Sequence, residues 1–387
     1  MNTADSRTAR PARRGALVAV SFAAAAALAL TGCTSGPAGT SVENETGTLR
    51  VVTTTTQLTD FAGQIGGDDI TLTGLLTAGA SAHHFDPSPA DLLELGRADV
   101  LIVNGVDLET FIDSAVESSG FDGTIIVAGE GVDLHEAEEI TAEGLGGDHD
   151  HAAEATDGDD GSPAADDHDH DGDGEPDHAA EEHPTEPAEE SHEGHDHGDI
   201  NPHLWTSPQY AADMVNQIAE GLAAADPERA ELFTERAAAY TERLDALDEW
   251  IAAQFDRVPV ADRVLVSGHD SLRYYLHDYD IAFAGSILPS FEDNAEPSAA
   301  QIDELVASIK EHGVKAVFVE SSMSPKLAQT IAQEAGVTVV DEESLFADSL
   351  GAPGSGAETY IDATIHNTRV ILEAWGVTPD DVPLAVQ

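Results

Sequence analysis

The chain has 387 residues, enough for two domains of ordinary size, and a formal net charge of −58 at pH 7. A field of that sign repels nucleic acid and gathers cations, so a nucleic-acid partner is excluded. Its single cysteine excludes an internal disulfide and a thiolate metal cage.

The N-terminus reads as an export address. Arg7, Arg10, Arg13 and Arg14 form a basic region, and Ala16 to Leu30 an apolar one. That run is shorter than the about 20 residues a membrane helix needs and fits a secretory signal. It ends Leu30-Thr31-Gly32-Cys33, which resembles a bacterial lipobox. Residues 1–33 therefore read as a lipoprotein signal peptide, with Cys33 the lipidated thiol; a free surface thiol is the alternative. The Arg13-Arg14 pair leaves both the general secretory and the twin-arginine route open. Residues 34–47, rich in Gly, Ser and Thr, read as a flexible tether.

From Leu49 the pattern becomes α/β. The β-branched run Leu49 to Thr55 predicts a strand, as do Ile70 to Leu76, Asp99 to Val103 and Thr124 to Val127. Ser88-Pro89, with Asp91 in the first turn, opens a helix. Strands alternating with helices predict a mainly parallel sheet, here a first lobe over residues 48–225.

That lobe carries an acidic stretch at residues 136–199, with 25 carboxylates, 9 histidines and no Lys or Arg. Runs such as Asp167-His168-Asp169-His170-Asp171 cannot build a core, so the stretch predicts a disordered insertion. Two roles are open: a solvated loop that keeps the protein soluble, or a loop of weak, exchanging imidazole and carboxylate sites that gathers or senses metal. The run from Asp167 superficially matches the start of an EF-hand loop, but His178 stands where the closing Glu belongs, so no formed Ca²⁺ site is expected.

Ser207-Pro208 starts a helix, and Asp226-Pro227 a longer one reaching Phe255. Its apolar positions Leu232, Phe233, Tyr240, Leu244, Leu247 and Ile251 follow helical spacing. That length suits a rigid strut over 226–256 joining two lobes. The second lobe, 257–387, repeats the alternation. Strands are expected at Arg263 to Val266, Asp280 to Phe283, Lys315 to Val319 and Val337 to Val340. Helices are expected at Ser271 to His277, Ser298 to Glu311, after Ser324-Pro325, and at Tyr360 to Trp375. Ser298 with Gln301 forms a capping box. The fold class is α/β: two βα lobes with mainly parallel sheets, joined by a long helix, with a cleft beyond the strands' carboxyl ends.

Four residues stand out by position: His83, His203, His269 and Asp348. Each lies in a loop before a helix, where facing lobes would present side chains to one cleft. Spacing alone does not decide between ligation and an ordinary hydrogen-bonded role.

Resemblance goes further. Gly79 to Pro89 with Asp91 resembles the His-Thr-Tyr-Glu-Pro-Ser-Pro-x-Asp segment of ABC-transporter solute-binding proteins for zinc and manganese. Asn201 to Pro208 is similar to that family's Asp-Pro-His-x-Trp segment, with Asn in place of Asp. Val266 to Tyr275 resembles its third-ligand loop, and Phe346 to Leu350 its fourth. Gly285-Ser286-Ile287, Glu296-Pro297-Ser298 and Phe318 to Ser322 resemble its second-lobe sequence. The likeness covers about residues 49 to 375 without the insertion. It implies two lobes joined by a long helix, and capture of a divalent metal outside the membrane by His83, His203, His269 and Asp348. It also implies delivery to an ABC permease and its ATPase by a monomer anchored to the cell membrane through Cys33.

Three imidazoles and one carboxylate suit Zn²⁺, whereas Mn²⁺ prefers more oxygen and a higher coordination number. Where the family carries manganese its third position is often Glu; here it is His269, so Zn²⁺ is the expected cargo. Mn²⁺, copper and nickel remain alternatives, as does an adhesin or metal-buffering role for the same fold. A zinc-dependent hydrolase is the remaining class, but no His-Glu-x-x-His helix is present. His84 is a rim candidate, and Glu109 and Glu320 are candidate partners of the ligands. His277 and His366 read as surface or packing residues, and His135 borders the insertion.

Overall fold

The computed structural model describes residues 47–145, 200–288 and 296–387. The signal sequence with Cys33, nearly all of the tether, and the insertion from residue 146, including the Asp167 run, lie outside them.

The first lobe runs β1 (Leu49–Thr53), α1 (Thr56–Gly66), β2 (Ile70–Gly74), α2 (Pro89–Leu95), β3 (Val100–Val103), α3 (Ile112–Ser119), β4 (Thr124–Val127), α4 (Leu134–Leu145) and α5 (Pro208–Ala225). Its four strands are parallel, in the order β2-β1-β3-β4. Val100 to Val103 are buried along their whole length, as a central strand covered on both faces requires. Ser88 caps α2 in a full capping box with Asp91.

The second lobe contains β5 (Val264–Ser267), α7 (Arg273–Asp278), β6 (Ala282–Ser286), α8 (Ala299–Glu311), β7 (Ala316–Glu320), α9 (Pro325–Ala335), β8 (Thr338–Leu345) and α10 (Tyr360–Ala374). Its strands are parallel too, in the order β6-β5-β7-β8. Ser298 and Gln301 make the expected capping box at α8.

Between the lobes runs α6 (Ala230–Phe255), whose 26 residues span about 39 Å at the helical rise. Phe233, Ala237, Tyr240, Leu244, Leu247, Ile251 and Phe255 are buried at helical spacing. They face α5, α1 and α10, so the helix packs against both lobes as well as linking them. One continuous apolar core joins Val51 and Phe61 of the first lobe to Tyr360 and Ile371 of the second. Fully burying a side chain such as Phe61, Phe233 or Phe255 contributes about 1.5–3 kcal/mol. A core shared in this way resists hinging between the lobes.

Four differences from the sequence expectation have local causes. The helix expected from Pro227 begins at Ala230, because the Asp226 carboxylate accepts from the Glu228 N–H and pairs with Arg229, closing a turn first. The acidic stretch does not leave order at residue 136: α4 continues to Leu145, with Ala137, Ile140 and Thr141 buried at helical spacing beneath its exposed acids. Helix α1 follows β1 directly, since Thr55 is its N-cap, accepting from the Leu58 N–H at 3.1 Å. The last strand extends to Leu345, beyond Val340.

Candidate metal centre

His83 lies in a single 3-10 turn, Ala82–His84, in the loop after β2; Ser81 Oγ accepts from its N–H. His203 directly precedes the turn Leu204–Thr206 that leads into α5. His269 follows β5, and Asp348 lies in the loop after β8. Two candidate ligands thus come from each lobe.

The four meet. His203 Nε2 stands 3.1 Å from His83 Nε2, 3.3 Å from His269 Nε2 and 3.3 Å from Asp348 Oδ1. His269 Nε2 stands 3.2 Å from the same carboxylate oxygen. One potential ligand atom from each residue lies within 4.8 Å of the others, and no second such group of three or more occurs among the described residues. His203, His269 and Asp348 are buried, while His83 is only half-buried and marks the side open to solvent.

Oxygen partners orient the two buried rings. Asn201 Oδ1 accepts from both the N–H and the Nδ1–H of His203, at 3.1 and 2.7 Å. Glu320, closing β7, places Oε2 2.7 Å from His269 Nδ1 and accepts the His269 N–H through Oε1 at 2.9 Å. An oxygen at Nδ1 fixes the proton there and leaves Nε2 free for a metal. Gly268 makes room for this: a Cβ there would lie 2.4 Å from Met323 Sδ and 2.8 Å from Glu320 Oε1.

Bonds from the first lobe hold the Asp348 loop. The Ala347 carbonyl accepts from Gln57 Nε2 at 3.0 Å and from Trp205 Nε1 at 2.9 Å. The Leu350 N–H donates to Thr56 Oγ1 at 2.9 Å, and the Gly79 N–H to Ser349 Oγ at 2.7 Å. On its own side, Asn367 of α10 pairs with both the N–H and the carbonyl of Phe346.

Burial, slightly countered by Asp348, drives the His203 pKa down to about 3, so this ring is neutral. Burial opposes charge on His269 as well, but Glu320 and Asp348 outweigh it and hold that ring's pKa well above the ordinary histidine value. Burial also works against the Asp348 carboxylate, yet His269 and His203 keep it well below the usual range.

The other candidates lie elsewhere. His84 is not one of the converging four. His135 is exposed and pairs with Glu139 on α4; His277 pairs with Asp278, which raises its pKa. His366 packs its ring against Phe346. Glu109 is buried and accepts from Thr54 Oγ1 and from the N–H groups of Asn104 and Gly105. It holds a loop in which Gly105, Val106 and Asp107 all have positive φ. Asn104 Nδ2 in turn reaches the Pro202 carbonyl, so Glu109 supports the His203 segment at one remove.

Residues 51–374 match the family described as ZnuA, zinc-uptake complex component A, periplasmic. A manganese-binding lipoprotein MntA of Halalkalibacterium halodurans is 28% identical over 341 residues, 88% of this chain and 92% of that one. A zinc-binding protein AdcA of Streptococcus pyogenes is 30% identical over 294 residues, 75% of this chain but only 49% of that longer protein. In fold the chain is similar to the periplasmic zinc-binding protein TroA of Treponema pallidum, with TM-score 0.65 and 22% identity over 85% of this chain and 99% of that one. It is also similar to a manganese-bound periplasmic metal-binding protein of Candidatus Liberibacter asiaticus, with TM-score 0.62 and 20% identity over 84% and 99%. With a match that runs through both lobes, the chain belongs to the ZnuA family and is an extracytoplasmic metal-binding component of an ABC importer, a carrier working with a permease and ATPase rather than an enzyme.

Proposed function

We propose that the cargo is Zn²⁺, bound by His83, His203, His269 and Asp348 and delivered from this cleft to the permease. The observation that carries this reading is the convergence of three imidazole nitrogens and one carboxylate oxygen within 4.8 Å of one another, with four of their six separations at 3.1 to 3.3 Å. A tetrahedral zinc site with metal–ligand bonds of about 2.0 Å has ligand–ligand edges of about 3.3 Å. Four protein ligands leave no open position for a reacting water, as befits a carrier. Mn²⁺ is the second reading, favoured by the manganese-binding names of two 28%-identical relatives. The nitrogen-rich donor set argues against it, since Mn²⁺ favours oxygen ligands.

The test is competition between Zn²⁺ and Mn²⁺ for the chain without its signal peptide, and for His269→Glu. Wild type should retain Zn²⁺ against excess Mn²⁺, and the variant should shift toward Mn²⁺. A wild type that prefers Mn²⁺, or a variant with unchanged selectivity, would refute the zinc assignment.

Anchoring through Cys33 belongs to the same reading. Its support is the apolar run ending Leu30-Thr31-Gly32-Cys33 and the lipoprotein names of relatives. Mass spectrometry of membrane-extracted protein should find Cys33 as the lipid-bearing first residue; an unmodified thiol would remove the anchor. The His-rich segment stands between Leu145 and Ile200 in the sequence, close upstream of His203. In this reading it supplies weak, fast-exchanging sites that raise local metal near the cleft.

A further inference from the structure

Asn201 is fully buried, and every polar group it has is engaged. Its N–H donates to Thr141 Oγ1 at 3.0 Å, and its carbonyl accepts from Tyr274 Oη at 2.6 Å. Its side chain faces both lobes at once: Oδ1 takes the two donors of His203, while Nδ2 donates to the Asp270 carbonyl at 2.5 Å. These partners dictate which way the amide points, since only oxygen can meet two N–H groups and only the NH₂ can meet a carbonyl.

We propose that Asn201 is a positioning residue for the metal, a cross-lobe clasp that sets the spacing between His203 and His269. Asp270 directly follows His269, so holding its carbonyl fixes the His269 backbone relative to the His203 ring. From the other side Glu320 fixes His269 through both its ring and its N–H. The Asp270 carboxylate is itself tied to Arg273 Nη2 and Nε, at 2.5 and 3.2 Å, so the clasp closes on a rigid segment. Both histidines are thereby held in place before a metal arrives.

Side-chain chemistry at this position is restrictive. An Asp could accept from His203, but its second oxygen would oppose the Asp270 carbonyl across the present donor contact. A Ser could accept from the His203 N–H but could not reach Asp270. Charge points the same way: among the described residues Asp348 and Glu320 are the carboxylates that meet the buried rings of His203 and His269, and two carboxylates match the charge of a dication. In this site geometry, rather than extra negative charge, slows the loss of metal.

The inference rests on the four-residue metal site. Its test follows release of bound Co²⁺ and Zn²⁺ into excess chelator, together with the visible spectrum of the Co²⁺ form. Wild type, Asn201→Asp, Asn201→Ser and His203→Ala are compared in the chain without its signal peptide. Asn201→Asp and Asn201→Ser should release metal about 10-fold faster or more, with Co²⁺ bands shifted by the altered ligand field. Asn201→Ser carries the same test if Asn201→Asp does not fold. Release from Asn201→Asp at or below the wild-type rate with an unchanged spectrum would overturn the clasp, leaving Asn201 as an orienter of His203 that a carboxylate can replace. If His203→Ala holds metal as tightly as wild type, the ligand assignment fails, and the clasp with it.

Discussion

His269 meets a carboxylate oxygen at each ring nitrogen, Glu320 at 2.7 Å and Asp348 at 3.2 Å, and so holds a proton more tightly than an ordinary histidine. Its folded pKa is raised above the unfolded value of 6.5. Its contribution to the stability of the metal-free fold is therefore fully present below about 6.5 and is lost as pH rises through the higher folded value. For metal binding the sign is opposite. The cation must replace the proton on Nε2, so affinity climbs with pH until the folded value is passed. His203, held neutral by burial, adds no proton to this exchange. Zinc titration calorimetry at neutral pH, in buffers of different ionisation enthalpy, should find about one proton released per metal. Uptake with no buffer dependence would mean that His269 is already neutral.

The elements built on strong local signals were legible in the sequence. Ser-Pro pairs opened α2 and α5 where expected, and the Ser298–Gln301 box opened α8. The buried run of β3 and the helical spacing of α6 survive because tertiary packing agrees with the local pattern. Helix α1 was not legible, because a Thr-rich run continues the β-branched signal of β1 and conceals that Thr55 is a cap. Helix α4 was masked by its acids, which are solvent-facing and leave only a narrow apolar face. The four residues that converge were legible as loop residues before helices, and the family resemblance grouped them as candidate ligands. What no sequence pattern carries is the cross-lobe bonding of the Asp348 loop: Gln57 and Ala347 are 290 positions apart. Four hydrogen bonds from the first lobe hold that loop, so widening the cleft at Asp348 would break all of them. Movement confined to the half-exposed loop bearing His83 breaks none of them except the Gly79 contact. This bonding and the core shared by the lobes through α6 favour local motion on that side over widening of the whole cleft.

At the scale of the molecule, a net charge of −58 draws divalent cations toward every surface, so total metal bound is a poor measure of the cleft. The 9 histidines between residues 136 and 199 stand shortly before His203 in the sequence and are further candidates for the same ions. Specific capture and general accumulation must therefore be separated in one measurement. That measurement is Zn²⁺ titration against a chelating competitor, for the chain without its signal peptide, for the same chain lacking residues 146–198, and for His203→Ala. The expected result is one tight site that survives the deletion, at unchanged affinity, and is lost in His203→Ala. Tight binding that disappears with residues 146–198 and persists in His203→Ala would contradict a cleft built from His83, His203, His269 and Asp348.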